Sequence, residues 1–369
     1  MAETVIHSDL TVAQWAGEEF YTYQRTDPFR ALKGTSEEKP IQVKEDLTSK
    51  AGNSIWFQLV KDLNNAEVVD DDLLEGSEEH MDNFGMQVFV HQRRNATVIG
   101  GYEEIKTTID MRKASKTMLR LWLGKKTRDL YLARMFSSCI DGVTTYAAST
   151  VAQRNAWAVA NNPAVANQRI LYGAAKANYS GVHATDLTNV DPINDDLHQD
   201  LIRLYKRMAQ SCDPLIRPFS VNDSDGASRD GFVAAVGSLA FRDLEANFET
   251  VESMIAARGD DNRIFAGGSL RIDNVLVIEI PEMDRTPAQG GCWLQNVGNA
   301  GTTSVEPVFF MGAQALLYPV ARRLFIETKQ FDYGNRYGVA FGIVDGCAKA
   351  TFNQVQHGMV TGFVSAQGD

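Results

Sequence analysis

Alternation with a period of two marks the first well-patterned stretch of the chain. Ser54 to Val60 (SIWFQLV) has the aromatic and β-branched character of a strand. Phe84 to Gly100 (FGMQVFVHQRRNATVIG) sets Met86, Val88 and Val90 on one face and Gln87, Phe89 and His91 on the other. Together they predict a long two-stranded arm, and such an arm needs a surface to lie on because a lone hairpin is marginally stable in water. The period then changes. Glu103 to Ile140 has no proline, meets its first glycine at Gly124 and spaces Ile105, Ile109, Met118, Leu119, Trp122, Leu130 and Phe136 roughly as a helix does. Further helices are predicted over Thr11 to Tyr23, Val151 to Ala160, Asp196 to Cys212, Ala240 to Ala257 and, as a buried element, Phe309 to Ala321. Phe232 to Val236 and Val275 to Ile280 predict buried strands, and Tyr337 to Phe352 predicts a hairpin turning at Asp345-Gly346. The pattern is mixed α+β, with long excursions from a compact body.

Charge sharpens this picture. Between the two arm strands stand nine carboxylates, at Asp62, Glu67, Asp70, Asp71, Asp72, Glu75, Glu78, Glu79 and Asp82, with Lys61 the one basic residue of the span. The long helix carries the opposite sign: Lys106, Arg112, Lys113, Lys116, Arg120, Lys125, Lys126, Arg128 and Arg134 stand against Asp110 and Asp129. Adjacent blocks of opposite sign arise as internal ion pairs or as a self-complementary contact between copies, and the sequence leaves both open.

Composition adds exclusions. The 369 residues are 44% hydrophobic and 22% charged, ordinary for a globular chain. No apolar run approaches the ~18 residues of a membrane span. The N-terminus carries Glu3 and Asp9 and lacks the apolar region of a signal peptide, so the expectation is a soluble, intracellular chain. A net charge of −11 works against binding nucleic acid or anionic membranes through the whole surface.

The chain holds no GxxxxGK[ST], no GxGxxG behind a predicted strand, no HExxH and no GxSxG. Cys139, Cys212, Cys292 and Cys347 lie far apart and are expected as buried reduced thiols, and the six histidines share no metal-ligand spacing. Asn222 to Gly226 resembles the start of a calcium loop but lacks its distal carboxylate, and the Asp70-Asp71-Asp72 run is a charge run before it is a metal cage. The sequence therefore predicts no catalytic residue, no cofactor and no metal.

Several short motifs, taken in order, carry a resemblance. They are Trp15 with Phe29 to Gly34 (FRALKG), Leu74 to Glu79 (LEGSEE), Gln92 to Ala96 (QRRNA), Arg263 to Gly267 (RIFAG), Met311 to Ala315 (MGAQA), Phe331 to Gly334 (FDYG) and Gly346 to Asn353 (GCAKATFN). In this order the chain resembles tailed-bacteriophage major capsid proteins, of the branch typified by podovirus-type coliphages. The resemblance implies the HK97-like shell fold: an N-arm over residues 1–50, an extended loop over 51–101 and a peripheral domain with a long spine helix over 102–213. It also implies a mainly axial domain over 214–330 and returning peripheral strands over 331–369. Residues 161–192 are hard to place in that scheme and are expected as an insertion or surface decoration.

The implied activity is assembly of hexamers and pentamers into an icosahedral shell around double-stranded DNA, in the virion and after assembly in the host cytoplasm. Portal, scaffolding and decoration proteins are compatible partners, DNA is contained without sequence-specific binding, and no membrane is involved. Candidate intersubunit contacts are Trp56, Phe57 and Phe89 as aromatic anchors, the acidic Asp70, Asp71, Asp72, Glu75, Glu78 and Glu79, and the basic Lys113, Lys116 and Arg120. The competing readings are a nanocompartment shell with protein cargo, another virion component forming fibres or rings, and an enzyme without a recognisable motif.

Overall fold

The computed structural model describes residues 28–48, 52–61, 63, 65, 67–70, 73–76, 78–106, 110–222, 228–246 and 269–368. Its elements begin with β1 (Lys33–Gly34), β2 (Ile41–Lys44), β3 (Ser54–Val60), β4 (Asn83–Phe89), β5 (His91–Gly100), α1 (Gly101–Lys106) and α2 (Met111–Met135). They continue with α3 (Val151–Asn161), β6 (Ile170–Tyr172), α4 (His183–Thr188), α5 (Gln199–Ser211), β7 (Phe219–Asn222), β8 (Ser228–Val236) and α6 (Ser238–Ala246). The remainder is β9 (Ser269–Ile272), β10 (Val275–Glu279), β11 (Leu294–Gly298), β12 (Thr303–Met311), β13 (Leu316–Phe331), β14 (Arg336–Asp345), β15 (Ala348–Lys349), β16 (Thr351–Phe352), β17 (Val355–Gln356) and β18 (Met359–Ser365).

The chain divides into two units, and the division falls within β5, α2, β13 and β14. The larger holds Pro28–His91, Thr127–Arg323 and the residues from Val344 onward. Its centre is an eight-stranded sheet in the order β6-β18-β12-β8-β10-β9, with β11 on β12 and β7 on β8. Strand β12 is buried along its whole length and pairs antiparallel with both β18 and β8, while β8 and β10 run parallel. Side chains alternate across it: Val305, Phe309 and Met311 join one core cluster, and Val308 and Phe310 join a second on the opposite face. Helix α5 seals that second face with Leu201, Ile202, Tyr205, Met208 and Ala209, spaced as one helical stripe. Gly362 of β18 makes room for it: a Cβ there would sit 2.0 Å from the Tyr205 hydroxyl.

This centre corrects several expectations. The apolar run from Phe309 to Ala321 is not a helix but the end of β12, a turn through Gly312-Ala313-Gln314 with Gln314 at φ 55°, and the start of β13. A strand buried on both faces is continuously apolar, so it mimics a buried helix, and Pro319 fits because it lies in a strand, opposite Lys44 of β2. Asp345-Gly346 does not close a hairpin either, because β15 pairs with β13 through Leu316 and Leu317. Residues 161–192 are no decoration. β6 is a strand of the central sheet, in parallel register with β18, and Ile170, Tyr172, Leu187 and Val190 are core residues.

The smaller unit holds Gln92–Lys126 and Leu324–Ile343 among the described residues. In it the N-terminal half of α2 covers β14, with Leu119 against Val339, Phe341 and the half-buried Tyr337. The single helix expected over Glu103 to Ile140 is two: Asp110 caps α2, its side chain accepting from the backbone N–H groups of Arg112 (3.1 Å) and Lys113 (3.0 Å). Helix α6 begins at Ser238. The predicted helix over Thr11 to Tyr23, the motif residues Trp15 and Arg263–Gly267, and residues 247–257 of the predicted helix lie outside the described residues.

Candidate assembly interface

The arm forms as its alternation predicts, but its second strand is shorter. β3 and β4 pair antiparallel over seven residues, from Ser54 opposite Phe89 to Val60 opposite Asn83. The chain leaves this pairing at Val90, whose N–H donates to the Asn53 carbonyl (3.0 Å), and β5 belongs to a different sheet. One face of the hairpin carries Ile55, Phe57, Met86 and Val88, packed on Leu317, Ala348, Ala350 and Phe352. Phe57 is 2% exposed, and Lys44 Nζ stands 4.5 Å from its ring centroid. Phe57 is therefore packed inside its own subunit.

The other face is left bare. Trp56 is 58% exposed and Phe89 50%, with Gln58 and Val60 beside them. The Trp56 ring lies over Gly85, where a Cβ would come within 3.1 Å and 3.3 Å of ring atoms; glycine lets the indole lie close against the strand. Beyond the paired strands, Leu63, Val69, Leu73, Leu74 and Met81 are exposed as well. Trp56 and Phe89 share one face of the hairpin, and exposed apolar patches mark interaction surfaces.

The acidic candidates divide by role. Glu79 accepts from the Asn65 N–H (2.7 Å) and Glu78 from the Gly76 N–H (2.7 Å), so these two carboxylates brace the loop that carries them. Asp70 and Glu75 are exposed and make no ion pair among the described residues. Asp71 and Asp72 lie outside the described residues. On α2, Lys113, Lys116 and Arg120 are exposed, and their spacing of three and four places them on one face. Arg112 differs: it pairs with Glu104 (2.9 Å) and stacks on Tyr337, 4.5 Å from its ring centroid.

Ionisable groups also lie deep in the larger unit, where no sequence motif marks them. Arg128 of α2 pairs with Glu282 at 2.7 Å, both nearly inaccessible. Lys349 is fully buried, donates to the Ser137 carbonyl (2.6 Å) and faces the Trp157 ring; burial lowers its pKa to about 7. His183 sits among Tyr146, Trp157, Tyr172 and Phe363, with Nδ1 2.8 Å from the Tyr172 hydroxyl; burial first, and then Arg154, lowers its pKa to about 3. Glu306 is pushed well above the usual carboxyl range by burial and by Asp284. Each of these groups is enclosed by the fold. All four cysteines are buried, and none is in a disulfide. Among the described residues no three His, Cys, Asp or Glu side chains converge to hold a metal ion, and no helix is long and apolar enough to cross a membrane.

The subunit is mixed α+β, with a long charged helix and a hairpin bare on one face, and comparison with solved phage capsids gives it the HK97-like shell fold. A family model for phage capsid proteins matches residues 3–363. The chain is 25% identical over 323 residues to the major capsid protein of Pseudomonas phage KPP25, covering 85% of this chain and 82% of that one. It superposes on a subunit of the cyanophage Pam1 capsid with a TM-score of 0.89 at 30% identity, over the full length of both chains. The capsid of Ralstonia phage GP4 follows at 0.74 and 24% identity, covering 100% of this chain and 99% of that one. The chain belongs to the phage capsid protein family. It is a structural subunit of the capsid shell, and the family is not one of enzymes.

Proposed function

We propose that shell formation by this chain depends on the β3–β4 arm of one copy lying over the basic face of α2 in another. The observation that carries this reading is the pairing of unmet surfaces: Trp56, Phe89, Asp70 and Glu75 on the arm, and Lys113, Lys116 and Arg120 on the helix, all exposed. Charge fixes register and partner choice, and the aromatic side chains supply the buried contact. The same contact repeated around a closed shell makes a modest pairwise affinity sufficient.

In this reading the N-arm is residues 1–50 and the arm with its loop is 51–101. The peripheral domain spans 102–213 with 331–369, and the axial domain is mainly 214–330. The shell, built of hexamers and pentamers and assembled in the host cytoplasm, encloses double-stranded DNA without sequence-specific contacts; a net charge of −11 supports containment without tight binding. Portal, scaffolding and decoration proteins are compatible partners in this reading.

A charge swap tests the contact. Asp70→Lys, Asp71→Lys and Asp72→Lys together are expected to abolish particles in electron micrographs while the subunit's thermal midpoint holds. Lys113→Glu, Lys116→Glu and Arg120→Glu should do the same. Combining both sets should restore assembly, because the attraction is then rebuilt with the signs exchanged. Normal particles from either triple variant alone would refute the pairing.

A further inference from the structure

The turn between β13 and β14 is built to hold an aromatic ring in water. Asp332, Tyr333 and Gly334 all have positive φ, at 53°, 53° and 91°. The left-handed region is ordinary for glycine but unfavourable for tyrosine, and strain of this kind persists where a site requires it. The turn is nevertheless tied down. The Asn335 N–H donates to the Asp332 carbonyl (2.9 Å), its side-chain amide donates to the Asp332 carboxylate (3.3 Å), and its carbonyl accepts from the Gly101 N–H (2.6 Å). At the apex Tyr333 is 109% exposed, so the ring touches nothing that would stabilise its own subunit. Phe331, at the end of β13 beside the turn, is also exposed, with Lys329 Nζ 5.0 Å from its ring centroid.

A strained, wholly exposed tyrosine ring held on a braced turn adds no packing to the fold that bears it. We propose that Tyr333 is an assembly anchor that inserts into a second copy of this chain. The partner is a second copy because the chain is a subunit of a shell made of copies, and every copy carries the same tip. Tyrosine is well suited to anchoring, since it buries a large rigid ring at little entropic cost and keeps a hydroxyl for one hydrogen bond at the far end. The contact is separate from the acidic arm and holds whether or not that arm meets α2.

Two substitutions separate anchor from scaffold. Tyr333→Gly suits the backbone, so the isolated subunit should melt at the same or a higher temperature. Particle yield during production in the host should nonetheless fall by about tenfold or more, as for loss of an interface hot spot. Tyr333→Phe should assemble within about twofold of the parent, since the ring supplies most of the contact. A photo-crosslinking amino acid at position 333 of assembled particles should give a dimeric product on a denaturing gel, and the unassembled subunit should give none. Parent-like yield from Tyr333→Gly, or irradiated particles that release only monomers, would overturn the proposal.

Discussion

The central sheet and the β3–β4 arm are both β-structure of the same chain, yet they end at different states of completion. In the sheet, every residue of β12 and of β18 is buried, and helices and loops of one chain cover both faces. In the arm, Ile55, Phe57, Met86 and Val88 find that cover, while Trp56 and Phe89 one residue away do not. The body is finished within a single subunit. The arm is finished on one face only, and on the other Trp56 and Phe89 stay exposed.

The largest effects should appear where a single chain has completed its packing. Phe310→Ala in β12 and Phe57→Ala beneath the arm each leave a cavity in an enclosed cluster and are expected to lower subunit stability by about 3–5 kcal/mol. Denaturant unfolding of the isolated subunit checks both. If Phe57→Ala cost as little as a surface substitution, the two-faced description of the arm would be wrong.

An intermediate effect tests how dry the body is. Lys349 has a folded pKa of about 7 against the usual 10.5, because burial disfavours its protonated form. Between those values the native chain binds fewer protons than the unfolded one. Stability therefore rises with pH across that window and is lost as pH falls through it, by at most about 1.4 kcal/mol per pH unit. Lys349→Met should flatten the slope and stabilise the subunit near neutrality. Part of that gain is offset by the Ser137 carbonyl, which loses its donor. Melting temperatures from pH 7 to 10 check this, and equal slopes in the two proteins would mean that water reaches the ammonium group.

The same contrast explains what the sequence could convey. Residue character and period-two alternation located β3 and β4, and neighbours in a strand such as Trp56 and Phe57 diverge to opposite faces. It could not say which face would be buried. Leu317, Ala348 and Phe352 decide that, and they come from more than two hundred residues further on. The helical period likewise located α2 and its basic face, but not the break that Asp110 makes before it. In the body the signal failed for the opposite reason: β12, apolar on both faces, has no period to read. The turn at 331–334 stood out as a motif, but its left-handed tyrosine is visible only in three dimensions.

The smallest effect on the fold is the one that most sharply tests the bare face. Trp56 lies over Gly85 and is otherwise in water, so Trp56→Ala removes little that a single subunit uses, and its stability should stay within about 0.5 kcal/mol of the parent. If the face meets another copy, the indole is a large aromatic anchor, and particle yield should fall by about tenfold or more although the subunit remains folded. Phe57→Ala would also reduce yield, but by unfolding the subunit that carries it. The diagnostic is therefore the pair of measurements on each variant: a stability loss that accompanies the assembly loss at Phe57, and an assembly loss alone at Trp56. Were Trp56→Ala to assemble normally, the exposed face of the arm would be solvent surface, and the contacts that close the shell would have to be sought elsewhere, beginning with the tip at Tyr333.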